Sequence, residues 1–187
     1  PVFRKALDAA RDIDQIKVVT TSLRQLKEKV DLPRHFGFLM HWQVIGPFDN
    51  TGLVGFSTVF PPEKGVKLAA LYKGKTDEVK WSRLITADEY GKVDINKAYP
   101  GLIKEVTAYA YTTYDSAAER DVQLRLGCKN AWKIWVNGKL IFGRDEYHRG
   151  TRIDHYQLNA NFKKGQNTIL IKLCQDHQTQ PWTKEWE

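Results

Sequence analysis

Residues 121–139 read Asp121-Val122-Gln123-Leu124-Arg125-Leu126-Gly127-Cys128-Lys129-Asn130-Ala131-Trp132-Lys133-Ile134-Trp135-Val136-Asn137-Gly138-Lys139. Val122, Leu124 and Leu126 alternate with Gln123 and Arg125, the period of two that puts one side of a strand in a core and the other in water. After a turn at residues 127–130, Trp132, Ile134 and Val136 alternate with Lys133 and Trp135. Asn137-Gly138 then supplies two residues that tolerate positive φ, as a type I′ turn requires, and Leu140, Ile141 and Phe142 begin a returning strand. The stretch predicts two strands around a tight turn and then a hairpin. Trp135 is out of phase with Ile134 and Val136, so it is expected on the opposite face from them. A segment of this kind builds a sheet and carries no reactive group, which points to a protein that holds something.

Outward from there, the chain is strand-like from Phe38 onward. Residues 38–45 predict a first strand, closed by Gly46-Pro47. Residues 48–89 are irregular, punctuated by Gly52, Gly55, Pro61-Pro62, Gly65 and Gly74, with short strands expected at 66–72 and 79–84. Further strands are expected at 103–113, 158–162 and 168–173, the last two joined by a turn at 163–167. Trp42, Trp132, Tyr109 and Phe142 fall in strand patterns and are expected in the core. Short strands at such spacing, separated by turn signals, predict a β-sandwich.

The first thirty residues differ. Phe3, Leu7, Ala10, Ile13, Ile16, Val19, Leu23, Leu26 and Val30 recur at steps of three and four and form one apolar helical face. Asp12 and Asp14 offer capping oxygens for a break into two helices, and Asp31-Leu32-Pro33 ends the pattern, because the residue before proline disfavours the α region. The expected division is a helical segment over 1–34 and a sandwich over 35–187. Such a face needs a partner, either the sandwich or an upstream helical domain.

At 187 residues and 42% hydrophobic composition the chain suffices for one core of ordinary size. The formal charge is +7, from 29 basic and 22 acidic residues. Its lysines (Lys27, Lys64, Lys73, Lys80, Lys104, Lys129, Lys163 and Lys172) are scattered, which reads as a solvated surface rather than a nucleic-acid footprint. No apolar run approaches the roughly 20 residues that span a bilayer, so no membrane insertion is expected. Cys128 falls in a turn and Cys174 ends an apolar strand; their pairing is open, and a buried free thiol is the simpler reading of Cys174. The chain reads as part of a longer polypeptide, which leaves its compartment open on this ground.

Trp42-Gln43-Val44-Ile45-Gly46-Pro47-Phe48-Asp49-Asn50 resembles the opening of a galactose-binding-like β-sandwich module, and Pro61-Pro62-Glu63 resembles the segment that follows it there. Residues 108–111, 124–127 and 133–139 resemble the middle strands of such modules, and Lys164-Gly165-Gln166-Asn167-Thr168-Ile169-Leu170-Ile171-Lys172 their closing strand. The resemblance runs from about Phe38 to the end with the motifs in order. It implies an all-β jelly-roll sandwich, here with a short N-terminal α-helical segment, of the kind found in large multidomain bacterial proteins, many of them secreted. It further implies carbohydrate binding, an extracytoplasmic (secreted or periplasmic) setting, and other domains of the same polypeptide as partners. Lys129-Asn130-Ala131 stands where the pattern often has Asp-Asp-Gly, which removes acidic oxygens from that turn.

No nucleophile elbow, phosphate loop or protease motif is present, so no enzymatic activity is expected. His148 and His155, with Asp145, Glu146 and Asp154, match no zinc spacing. By resemblance alone, Asp49, Asn50 and Glu63 are candidate oxygen ligands for a structural calcium ion. Sugar recognition needs flat aromatic faces beside hydrogen-bonding groups. Residues 143–152 have that composition, so Tyr147, His148, Arg149 and Arg152 are candidate ligand-binding residues, with Trp182 as a stacking platform. The arginines favour an anionic polysaccharide or glycan, because guanidinium pairs bidentately with carboxylate or sulfate. The alternative is a structural spacer or protein-interaction sandwich that binds no small ligand.

Overall fold

The computed structural model describes residues 2–187. Helices α1 (Val2–Ala9) and α2 (Ile13–Gln25) break at Asp12, whose Oδ1 accepts from the backbone N–H of Asp14 and Gln15 at 2.9 and 3.4 Å. Where the sequence predicts an end to helix, a further turn forms, α3 (Leu32–Phe36). Asp31 caps it through Arg34 N at 3.1 Å, Pro33 sits in the first turn where its missing N–H costs nothing, and Gly37 closes it in the left-handed region. Leu7, Ala10, Ile16, Leu23 and Leu32 form the helices' own cluster, against which Tyr90 and Ile153 of the main body pack. Arg24 reaches Glu89 at 2.6 Å across the same junction.

The remaining α-helix and the strands are β1 (His41–Asp49), α4 (Pro61–Lys64), β2 (Leu71–Lys73), β3 (Glu78–Lys80), β4 (Ser82–Ile85), β5 (Val106–Ser116), β6 (Arg120–Leu126), β7 (Ala131–Val136), β8 (Lys139–Arg144), β9 (Tyr156–Phe162) and β10 (Gly165–Gln175), with 3-10 turns at Thr51–Phe56, Ile95–Ala98 and Pro181–Thr183. Six of them form an antiparallel sheet in the order β4-β1-β5-β10-β7-β8. Contrary to expectation, β1 continues through Gly46-Pro47. Its register against β5 shifts between Ile45 and Phe48, so these two residues face the same side.

The sheet is buried on both faces. Trp42, Val44, Ala108, Ala110, Trp132, Ile134, Ile169 and Leu173 face one core, together with Tyr156 and Phe162 of β9. Ile45, Phe48, Tyr109, Trp135 and Leu170 face the other, beneath Phe60, Tyr72, Val79 and Trp81. Trp132 and Trp135 therefore point to opposite faces, as their phase requires. The irregular stretch between β1 and β4 is the cover for this second face.

The two strands of residues 121–139 do not pair with each other. β6 leaves the large sheet and pairs with β9 along its length, Arg120 opposite Phe162 through Leu126 opposite Tyr156, as a separate ribbon over the first core. β7 turns at Asn137-Gly138, both at positive φ, and pairs with β8 as predicted. The crossing between layers occurs at Gly127, where a Cβ would collide with Thr151 Oγ1 and the Arg152 carbonyl oxygen. Gly127→Ala is expected to lower stability by about 1–3 kcal/mol through this overpacking, read as a lower urea midpoint at unchanged slope.

Candidate functional site

The end of β10 gathers several of the residues singled out by the sequence. Asp176, directly after the strand and nearly buried, accepts at Oδ1 from Gln178 N at 3.1 Å, and its Oδ2 lies 2.7 Å from His148 Nε2. One carboxylate thus ties the loop of Tyr147 and His148 to the loop that carries Trp182. The second loop is braced further: Thr183 O accepts from Lys104 Nζ at 2.7 Å and from Gln175 Nε2 at 3.3 Å. Gln175 Oε1 accepts in turn from Asn130 Nδ2 at 2.8 Å. Trp182 itself, on the 3-10 turn Pro181–Thr183, is 68% exposed. A large indole left in water on a loop held at both ends is a surface that can stack on a flat apolar face.

Tyr147 is half-buried, and its hydroxyl accepts from Asn50 Nδ2 at 3.1 Å; burial pushes its phenol pKa upward. Arg149 pairs with Glu146, which also takes Arg144 at 2.8 Å, and the two guanidinium groups hold the Glu146 carboxyl below its usual range. Two of the three loop arginines therefore share one carboxylate. Arg152 belongs elsewhere, exposed beside Gly127 just past the end of β6. So the structure brings Tyr147, His148 and Trp182 to one end of β10, places Arg149 in an ion pair, and separates Arg152 by role.

The proposed calcium donors are occupied by protein partners. Asn50, fully buried, bonds through Nδ2 to Gln175 O at 2.9 Å as well as Tyr147, and through Oδ1 to Gly55 N at 2.8 Å. Asp49 Oδ1 takes the Thr51 hydroxyl at 2.7 Å and Lys75 Nζ at 3.3 Å; the hydroxyl bond is the main reason its pKa lies low. Glu63 Oε1 accepts from Tyr109 at 2.5 Å and from Lys172 Nζ at 2.8 Å. An ammonium already neutralises Glu63, and no group of three or more His, Cys, Asp or Glu able to hold an ion occurs among the described residues. These three donors do not fit a calcium site.

The sequence reading missed Lys172 and Asp176. Lys172 was grouped with surface lysines, yet it is fully buried on the second face; burial pulls its pKa down, while Glu63 opposes that shift. The available signal was its place in the run Leu170-Ile171-Lys172-Leu173, where a solvated strand face would carry more than one polar residue. Asp176 carries no comparable signal. Cys128 and Cys174 are both buried and free, with thiols pushed by burial to about 12 and about 11. His155 is exposed and stacks on Tyr156, and Asp154 pairs with Arg125 at 2.8 Å, so neither joins His148. No helix among the described residues is long and apolar enough to cross a membrane. No protein-family model matches the chain, and no curated protein matches it.

Glu63→Ala leaves the Lys172 charge buried without its counter-ion and is expected to cost about 3–5 kcal/mol in chemical denaturation. Adding calcium, or removing it with a chelator, is expected to leave the melting temperature unchanged. A calcium-dependent rise would return Asp49, Asn50 and Glu63 to the status of ligands.

Proposed function

We propose that this chain is a non-catalytic carbohydrate-binding module, a galactose-binding-like jelly-roll sandwich that holds a larger extracytoplasmic protein near a polysaccharide. The observation that carries the reading is the Trp182 indole, largely in water, on a loop that Asp176 fixes beside Tyr147 and His148. Pyranose rings stack their C–H faces on such platforms, and the adjoining phenol and imidazole lie within the same bonded network to orient hydroxyls. The six-stranded antiparallel sheet with a ribbon over one face supports the architecture. So does the placement of the opening, middle and closing motifs on β1, β7 and β10. Preference for an anionic glycan rests at this end on Arg149, whose charge Glu146 already partly neutralises.

A second reading, an interaction or spacer domain contacting other parts of its polypeptide, is favoured by the helices. Val2, Val18 and Leu26 stand 77%, 67% and 61% exposed on that segment, apolar side chains that a neighbouring domain would cover.

A broad glycan screen on the 187-residue chain separates the two. Binding that Trp182→Ala weakens by roughly tenfold or more, with unchanged thermal stability, is the expected result for the module. Absence of binding to every glycan, or binding indifferent to Trp182→Ala, would instead leave the interaction domain. Retention on acidic against neutral gels at two salt concentrations reads the charge preference directly.

A further inference from the structure

The loop that carries Trp182 leaves the indole in water and is itself firmly anchored. Thr183, buried beside it, places Oγ1 3.0 Å from Gln178 O and 2.8 Å from Gln180 O, and Asn96 Nδ2 donates to Lys184 O at 2.9 Å. Asp176, at the start of the loop, is held by two non-glycine residues in the left-handed region. His148 (φ 56°) meets its Oδ2, and Glu105 (φ 53°) donates its backbone N–H to the Asp176 carbonyl at 2.9 Å. Strained backbone persists only where its surroundings over-determine it, and such positions gather at binding sites. A platform held in this way loses little freedom when a ligand stacks on it.

The charge on this loop is positive and poorly compensated. Lys104, half-buried two residues before β5, uses one of its three N–H groups on Thr183 O at 2.7 Å, next in the chain to Trp182. Lys184, two residues beyond Trp182, is exposed. Burial holds the Lys104 ammonium below its usual range; Asp176 opposes that shift and the Lys184 ammonium adds to it, so the two cations stand within each other's field. Asp176 is already bonded to His148, and Glu185, the carboxylate next in the chain to Lys184, is taken by Lys129 and Lys92. Neither Lys104 nor Lys184 forms an ion pair among the described residues.

We infer that Lys104 and Lys184 decide the charge of the sugar that Trp182 takes: with the ring stacked on the indole, a carboxylate or sulfate substituent meets the two ammonium groups, and an acidic glycan is bound in preference to a neutral one. The inference rests on the proposed glycan reading and gives it a specificity determinant. Arg149 does not fill that role, because Glu146 holds it. An anion beside two neighbouring cations offsets their mutual repulsion, which a neutral hydroxyl cannot do. Carboxylate and sulfate are one chemistry here, since an ammonium is a point charge with no fork to select between them.

The test is calorimetric titration of the 187-residue chain with two pairs of tetrasaccharides, galacturonate against its methyl ester and a sulfated carrageenan fragment against its desulfated form. At least one acid is expected to bind about tenfold or more tightly than its neutral partner, and which acid does so names the anion. Lys184→Gln and Lys104→Gln are each expected to weaken that acid by roughly threefold or more, to flatten its salt dependence and to leave the neutral form unchanged. Lys184→Gln, on an exposed side chain, does this at an unchanged melting temperature. Acidic and neutral forms bound equally, both lost with Trp182→Ala, would overturn the inference and leave the glycan reading standing. A preference for the acid that survives both lysine substitutions and falls with Arg149→Gln would overturn it as well. So would the absence of binding by all four sugars, and the broad glycan screen then decides the glycan reading separately.

Discussion

The Lys172 ammonium, wholly out of water in the middle of β10, donates to Phe56 O at 3.2 Å, Thr58 O at 2.6 Å and Glu63 Oε1 at 2.8 Å. Its three protons are matched by three acceptors, the condition on which a buried cation is tolerated at all. All three acceptors come from the irregular segment after β1. That segment has little regular secondary structure of its own, and the lysine fixes where it lies: over the second face of the sheet, with Phe60 stacked on Phe48 and Glu63 bonded to Tyr109. A single buried charge thus converts a loop into a layer.

The other face is closed differently. Its cover is a two-stranded ribbon, too narrow for a six-stranded sheet, and the helices reach only its margin. Ile171 at the centre of that face stays half-buried, whereas Leu170 on the face organised by Lys172 is buried. The proposed glycan platform lies elsewhere again, where β10 ends and Asp176 binds two loops together. Strand β10 therefore serves three places: it anchors one cover through Lys172, gives Ile169 and Leu173 to the core of the other face and fixes the loops at its end.

Much of the sheet was legible because alternation is a local property. Val106, Ala108 and Ala110 share a face, Trp132 and Trp135 take opposite ones, and Asn137-Gly138 turns, all as their spacing requires. The break at Asp12 was equally local, since a capping carboxylate needs only the next three residues. What failed was partnership. β6 and β7 are separated by a short turn and look like a hairpin, yet β6 pairs with β9 thirty residues onward, and residues 151 and 152 close on Gly127 where the chain crosses between layers. Lys172 looked like surface because its counter-ion, Glu63, is more than a hundred residues away. Asn50 and Asp49 looked like free oxygen donors until Tyr147, Gln175, Thr51 and Lys75 were found to occupy them.

By itself the sequence determined the elements: a helical start, a run of strands, the positions of turns, and which residues of each strand belong together on one side. These depend on dihedral preferences and on periods of two and 3.6, which act over a few residues. Only the tertiary structure decided which strand lies beside which, which charge is buried, which candidate ligands are already bonded, and what covers each face of the sheet. Those outcomes depend on atoms brought within a few ångströms from distant parts of the chain, and spacing along a sequence carries no measure of that distance.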